Sequence, residues 1–294
     1  RVCKDWGIDE RDMPYFQTLH SMAFRAGGYS TDEVIGAKDM DEVGDAVGIP
    51  FGKKNRSDIE SDFDTLGVAK GDFYMSQYHL CRSKGLTLEE MHRQLADYQV
   101  DWCELKRLIS AYEDYKSVRK KIDFTDMIDN FIKSNDGPNI EALFVDEAQD
   151  LSTLQWSMVN VLREKPRIQV FTGDDDQAIM GFQGADVEAF LNATEKKTVL
   201  EQSYRLPRSV WQEAQNIVCR IEGRAPKTWR PKDEEGLVQF HQNIWDVPLD
   251  AGEWCIMART NRIASQYAQV LREEGWVYSR NGHPSIPAKT YEAL

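Results

Sequence analysis

Two carboxylates stand side by side at the end of an apolar run, in Leu143-Phe144-Val145-Asp146-Glu147-Ala148-Gln149-Asp150. In a nucleoside triphosphatase the first such acid holds Mg²⁺, directly or through water, and the second orients or deprotonates the attacking water. A bare Asp-Glu pair is more often only a solvated turn, so the reading needs support from elsewhere. A second apolar run supplies it: Val170-Phe171 also ends in polar groups, Thr172-Gly173-Asp174-Asp175-Asp176-Gln177, and continues through Ala178-Ile179-Met180-Gly181-Phe182-Gln183-Gly184-Ala185-Asp186. Gly173 permits a tight turn. Gln177 is a neutral side chain able to sense a γ-phosphate or its water, and Phe182, flanked by Gly181 and Gly184, can present a ring for a base to stack on. Three successive aspartates repel one another, which is tolerable in solvent or near a metal. A third block, Leu200-Glu201-Gln202-Ser203-Tyr204-Arg205-Leu206-Pro207, sets Arg205 just before a helix, where its fixed positive fork can stabilise charge developing on a transferred phosphoryl. A lone Arg is more commonly one half of a surface ion pair.

Periodicity predicts the strands and helices that carry these groups. After Pro138 short apolar runs occur at Ala142–Val145, Ile168–Phe171, Val199–Leu200, Leu237–Phe240 and Trp254–Ala258. Helical faces separate several of them: Leu151, Leu154, Met158, Val161 and Leu162; then Val210, Ala214, Ile217, Val218 and Ile221, opened by Pro207; then Ile263, Tyr267, Val270 and Leu271, closed by Gly275. Alternating strands and helices predict an α/β fold on a parallel sheet. Ligands bind beyond the carboxyl ends of such strands, where Asp146 and Glu147, Gly173 to Gln177, and Arg259 to Asn261 all fall. Pro226, Pro231 and the charged stretch Lys232–Glu235 read as a linker or surface loop.

Earlier in the chain, residues 26–86 show little periodicity and read as loops with short helices. From Thr87 a seam of Leu88, Met91, Leu95, Tyr98, Trp102, Leu105, Ile109 and Tyr112 alternates steps of three and four, which predicts one long helix packed within a helical subdomain. Thr87 and Glu90 supply a capping box at its start.

The 294 residues are enough for two domains, and their 41% hydrophobic content is that of a globular protein with a sizeable core. No apolar run of about 18 residues is present to span a membrane, and the first residues lack the apolar core of a signal peptide. Five scattered cysteines without a C-x-x-C spacing argue against a disulfide framework or zinc site and point to a reducing cytoplasm. The net charge of −13 opposes nucleic acid as a partner. The charge is uneven, however: residues 141–195 hold eleven acids against three bases, and residues 203–232 hold seven bases against two acids. A nucleic-acid strand responds to the local field of a groove, not to the total.

The ordered blocks D-E-A-Q-D, G-D-D-D-Q-A-I-M-G-F-Q-G-A and L-x-Q-S-Y-R resemble motifs II, III and IV of UvrD/PcrA/Rep-type superfamily 1 DNA helicases. Thr18-Leu19-His20-Ser21 is similar to the family's T-x-H-S element, Ile122-Asp123-Phe124-Thr125-Asp126-Met127 to its D-F-x-D-L segment, and Arg259-Thr260-Asn261 to its R-T-N segment. The resemblance runs from about Thr18 to Gly282 and implies a RecA-like P-loop NTPase fold. Residues 1–25 and 121–222 would form the first lobe, 26–120 a helical insertion, and 223–294 the start of a second lobe. It implies ATP and Mg²⁺ as cofactors, with single-stranded DNA and duplex junctions as partners and 3′ to 5′ movement. Asp146 would hold Mg²⁺ and Glu147 would be the catalytic carboxylate. Gln177 would couple the γ-phosphate to DNA, and Arg205 would be the arginine finger. Phe182 would stack on a base, while Thr18, His20, Arg259, Thr260 and Asn261 would lie along the strand.

The chain departs from the family pattern in three places. Gln183 stands where the family has an Arg, removing a charge expected near Glu147 and the phosphates, and Met180 stands where Tyr is common. No G-x-x-x-x-G-K-[ST] occurs; the nearest string, Gly48-Ile49-Pro50-Phe51-Gly52-Lys53-Lys54, has the wrong spacing and no hydroxyl. With both ends reading as cuts, the expectation is a helicase fragment with the P-loop upstream of Arg1, hydrolysing ATP poorly alone. The alternatives are a non-catalytic DNA- or partner-binding module and the helicase part of a helicase–nuclease.

Overall fold

The structure, a computed structural model, describes residues 7, 9, 13–52, 69–96, 100–280 and 282–285. Tyr98, Lys53, Lys54 and both chain ends, all used in the sequence reading, lie outside them. Several helices begin where a side chain satisfies the orphan N–H groups of a first turn. Thr18 accepts from the Ser21 amide and opens α1 (Leu19–Ala26). Helix α2 (Ala37–Val47) ends on Gly48, whose φ of +69° is the left-handed conformation that Gly adopts without penalty. This use of Gly48 as a helix terminator accounts for the string that loosely imitates a phosphate loop. Helix α3 (Lys70–Ser83) is followed by α4 (Leu88–Gln94), where Thr87 and Glu90 make the expected reciprocal capping box. Asp101 accepts from the amides of Cys103 and Glu104 to start α5 (Trp102–Arg119), and Asp123 accepts from that of Asp126 to start α6 (Phe124–Ser134).

The seam predicted as one long helix is therefore two, α4 and α5, with the second independently capped by Asp101. Its apolar residues are still buried together: Met91, Leu95, Leu105, Ile109 and Tyr112 pack with Val43 of α2 and Tyr74 and Met75 of α3. The predicted loop region before Thr87 also contains longer helices than its weak periodicity implied, α2 and α3. Leu105 and Leu108 are 0% exposed, so truncating either to Ala costs about 2–5 kcal/mol.

A second core surrounds the sheet. The run before the acid pair forms β1 (Ala142–Val145) and the run before Gly173 forms β2 (Ile168–Phe171), with α7 (Thr153–Leu162) between them. The strands pair parallel, Ala142 opposite Ile168 and Val145 opposite Phe171. A parallel pair needs a long crossover, and α7 supplies it. Trp156, Met158 and Val159 of α7 join Leu143 of β1, Met127, Ile128 and Phe131 of α6, and Ala23 of α1 in one cluster. Short α8 (Val187–Leu191) and α9 (Arg208–Val218) follow, the latter capped by Pro207. The remaining predicted strands are not formed: Val199–Leu200, Leu237–Phe240 and Trp254–Ala258 have no strand assignment. Apolar side chains alone do not make a strand, which requires a neighbour for its N–H and C=O groups. Leu200, Phe240 and Met257 are 87%, 85% and 87% exposed.

Described residues up to 236 belong to one compact unit and those from 237 onward to another. The second unit contains α10 (Asn261–Glu273) and a small antiparallel pair, β3 (Ser279–Arg280) with β4 (His283–Pro284). The fold is thus mixed, predominantly helical with a small parallel sheet in the first unit. No helix among the described residues is long and apolar enough to cross a membrane.

Candidate functional site

The end of β1 turns sharply. Glu147 has φ +50°, a left-handed conformation uncommon for a non-Gly residue and a form of local strain that persists only when neighbours enforce it. Those neighbours are visible. The Glu147 amide donates to Asp146 Oδ1 at 3.0 Å, the Ala148 amide donates to the Thr172 carbonyl at 2.9 Å, and the Asp150 amide donates to the Glu147 carbonyl at 3.0 Å. Thr172 Oγ1 donates to Asp146 Oδ1 at 2.6 Å. Both carboxylates remain exposed. Asp146 is thereby held by one oxygen, and Glu147 is held by Gln149, whose Nε2 donates to Glu147 Oε2 at 2.8 Å.

Gln149 is 2% exposed and connects the two turns. Its Oε1 accepts from the Asp174 amide at 3.2 Å. A Cβ at Gly173 would collide with that oxygen and come within 3.0 Å of Phe190 Cζ, so close approach, beyond turn geometry, requires glycine here. Asp174 Oδ2 in turn accepts from Gln177 Nε2 at 2.7 Å. A continuous polar line therefore runs Glu147–Gln149–Asp174–Gln177. Sequence alone gives Gln149 no role; its only signal is a polar residue two positions past the second acid.

The three aspartates are matched by two cations. Lys227 Nζ contacts Asp174 Oδ1 at 2.5 Å, Asp175, and Asp176 Oδ2 at 3.2 Å; Arg224 reaches Asp176 through Nε at 2.7 Å and Nη2 at 2.5 Å. Burial pushes the Asp174 and Asp175 carboxyls up, but the hydrogen bonds and charge of Lys227, together with hydrogen bonds from Gln177 at Asp174 and from the Ala225 amide at Asp175, bring both below the usual carboxylate value. Two cations of the basic stretch 203–232, read as a field for DNA, are thus committed to these acids.

Phe182 lies in a 3-10 turn, Met180–Gln183, and is 48% exposed. The end of that turn is tied back to the acid segment: the Asp186 amide donates to the Leu151 carbonyl at 2.8 Å, and Thr153 Oγ1 donates to Asp186 Oδ2 at 3.2 Å. Beside it is a cavity of about 250 Å³ lined by His20, Ser83, Thr125, Asp150, Gln155 and Gln183, among others. Asp150 Oδ1 is enclosed there without a hydrogen-bond partner among the described residues, and burial followed by the Glu147 charge raises this carboxyl. Gln183, in place of the family's Arg, therefore shares a cavity with Asp150. His20 packs edge-on against Phe124 with ring centroids 5.8 Å apart, and burial lowers its imidazole pKa. Thr18 is engaged as the cap of α1.

Arg205 is exposed, on a turn in which Ser203 Oγ accepts from the amides of Arg205 and Leu206 at 3.3 and 3.1 Å. That turn is held by the Arg230 carbonyl, which accepts from the Ser203 amide at 2.9 Å. Among the described residues no ion pair or hydrogen bond joins the Arg205 side chain to the acid turn. In the second unit Arg259 is exposed, Thr260 caps α10 by accepting from the Ile263 amide, and the Asn261 carbonyl accepts from Arg280 at 3.4 Å.

The donor set fits a cation that arrives with a nucleotide. Asp146 keeps Oδ2 uncommitted, and among the described residues no group of three or more His, Cys, Asp or Glu is arranged as a metal cage. Mg²⁺ characteristically takes one or two carboxylates together with phosphates and waters.

Residues 31–198 match the family model of the UvrD/REP helicase N-terminal domain. The chain is 29% identical over 198 residues to the ATP-dependent DNA helicase PcrA of Bacillus subtilis (strain 168), covering 61% of this chain and 26% of that protein. It is 30% identical over 148 residues to the PcrA of Leuconostoc citreum, covering 45% and 20%. Over 157 residues it is 25% identical to the PcrA of Staphylococcus epidermidis (strain ATCC 12228 / FDA PCI 1200), covering 51% and 21%. The chain thus spans about a quarter or less of the length of these relatives. The family match contains Asp146, Glu147, Gln177 and Phe182, whereas Thr18, His20, Arg205 and Arg259 to Asn261 lie outside it. A match over more than half of the chain, through the segment that carries both turns, makes this protein a member of the UvrD/REP helicase family.

Proposed function

We propose that the chain is part of a cytoplasmic ATP-dependent DNA helicase or translocase that moves 3′ to 5′ along single-stranded DNA and acts at duplex junctions. In this reading residues 1–25 and 121–222 form a RecA-like lobe, 26–120 its helical insertion, and 223–294 the opening of a second lobe, with Arg224, Lys227 and Arg230 still held on the first. The observation that carries the proposal is the line Glu147–Gln149–Asp174–Gln177, a hydrogen-bonded connection from a carboxylate at one strand end to a neutral amide at the next.

Glu147, exposed and fixed by Gln149, orients or deprotonates the attacking water. Gln177 senses the γ-phosphate and passes its state to the Met180–Gln183 turn, where Phe182 stacks on a base. Thr18, His20, Arg259, Thr260 and Asn261 contact the strand, and Arg205 stabilises charge on the transferred phosphoryl. Bound at Asp146 with the nucleotide, Mg²⁺ supplies charge neutralisation of the phosphates.

The test is ATP hydrolysis by the natural full-length protein, with and without single-stranded DNA. The reading predicts DNA-stimulated turnover that Glu147→Gln abolishes while ATP still binds. Normal turnover in Glu147→Gln removes the carboxylate's role, and strand binding without any hydrolysis by the unmutated protein makes it a binding module instead.

A further inference from the structure

We infer that Lys227 is a positioning residue for Gln177, acting through Asp174. The inference rests on the reading of Gln177 as the γ-phosphate sensor and adds the group that holds the sensor in place. Gln177 is exposed, and among the described residues the single hydrogen bond of its side-chain amide is the 2.7 Å contact to Asp174 Oδ2. A surface glutamine held by one bond is only as well oriented as its partner. The other oxygen of that partner, Asp174 Oδ1, is the one that Lys227 takes at 2.5 Å and that also accepts from the Asp176 amide at 3.2 Å, so one carboxylate is shared between the cation, the following turn and the sensor.

The arrangement needs the cation. Asp174, Asp175 and Asp176 are consecutive, and like charges this close disfavour a common orientation. Lys227 contacts all three, and its side chain is 12% exposed. Without it the carboxylate with the most access to water is Asp174, 39% exposed against 6% for Asp175 and 8% for Asp176. Asp174 is therefore the one expected to rotate outward, releasing the Gln177 side-chain amide from the end of the line, while the bond from the Asp174 backbone amide to Gln149 is kept. Lys227 lies 53 residues from Asp174 in the chain, beyond α9, so this contact also makes the sensor's geometry depend on where the segment after α9 is packed.

Arg224 provides an internal control. It neutralises the same cluster through Asp176 and makes no bond to Asp174. If the cluster only stabilises the fold, removing either cation has comparable consequences. If Lys227 positions the sensor, the two differ.

The experiment is a double-mutant cycle on DNA-stimulated ATP hydrolysis by the natural full-length protein, with thermal denaturation run in parallel. Lys227→Met is expected to lower kcat about tenfold or more with KM for ATP within about twofold, because misplacement of a contributing group acts on the chemical step. Lys227→Arg is expected to restore most of the rate, and Arg224→Met to stay within about threefold of the unmutated protein. The decisive comparison is Lys227→Met combined with Gln177→Ala, which is expected to match Gln177→Ala alone within about twofold, since a residue acting through another adds nothing once that other is gone. Independent, multiplicative losses overturn the inference, as does an unchanged kcat in Lys227→Met while Gln177→Ala is impaired. An unimpaired Gln177→Ala overturns the sensor reading itself, and with it the purpose of the positioning. If Lys227→Met does not fold, Lys227→Gln takes its place in the cycle.

Discussion

Two ionic clusters in the first unit make an instructive pair. In one, Lys116 of α5 meets Asp123 at 2.8 Å and Asp126 at 2.7 Å, while Arg82 of α3 reaches Asp123, Asp126 and Asp129 at 3.1, 2.7 and 2.6 Å. In the other, Lys227 and Arg224 meet Asp174, Asp175 and Asp176. Each sets two cations against a group of aspartates, and Lys116 also meets Glu113 of its own helix at 3.0 Å. They differ in what is left over. Asp123, 3% exposed, spends its oxygens on Arg82, Lys116, the Tyr112 hydroxyl and the Asp126 amide, all of them parts of the fold. Asp174 gives Oδ1 to Lys227 and the Asp176 amide and keeps Oδ2 for Gln177, an exposed side chain. The first cluster locks the head of α6 to α3 and α5; in the function proposed above, the second aims a chemical group.

The first cluster is most sensitive at Asp123. Asp123→Ala strands Lys116 and Arg82 without their central counterion and is expected to cost about 3–5 kcal/mol, the usual penalty for removing one partner of a buried pair; urea denaturation reads it directly. Acid sharpens the same point. Burial would raise the Asp123 carboxyl, but Lys116 and Arg82 hold it at about 2, below its ordinary value. A depressed folded-state value gives stability that is complete above the unfolded value and lost as pH falls toward the folded one. The protein should therefore lose on the order of 2 kcal/mol as pH drops from roughly 4 to 2, and Asp123→Asn should flatten that part of the acid titration. The smallest effect is expected at Gln183. Gln183→Arg brings a cation into the cavity where Asp150 Oδ1 lacks a partner, and a gain of up to about 1 kcal/mol in melting experiments is expected. A loss instead would mean that the cavity cannot accept the longer side chain.

What the sequence disclosed was largely local. β1 and β2 were readable to the residue because each apolar run stops abruptly on polar groups, and the Thr87–Glu90 box was readable because capping is a three-residue relation. The seam through Met91, Leu105 and Tyr112 correctly named core residues, but its period runs on past Gln94, so only Asp101, acting as a cap, reveals the break. Leu237–Phe240 and Trp254–Ala258 have strand composition without a paired neighbour, and composition cannot supply one. At the site, Asp146, Glu147 and Gln177 stood out by type and position. Lys227 did not, because nothing local relates it to Asp174, and its charge merged into the basic stretch that favoured a nucleic-acid field. The mutual repulsion of the aspartate run, tolerable in solvent or near a metal, is offset by two cations from distant sequence.

The claim that the two clusters do different work is tested most directly by the turnover of Asp174→Ala in the natural full-length protein with single-stranded DNA, under conditions where urea denaturation shows it folded. The variant should be destabilised by about 1 kcal/mol or less, as for a partly exposed pair, with kcat reduced about tenfold or more, since a displaced group acts on the chemical step. Turnover equal to that of the unmutated protein would contradict that claim, and would make the second cluster a structural clasp like the first.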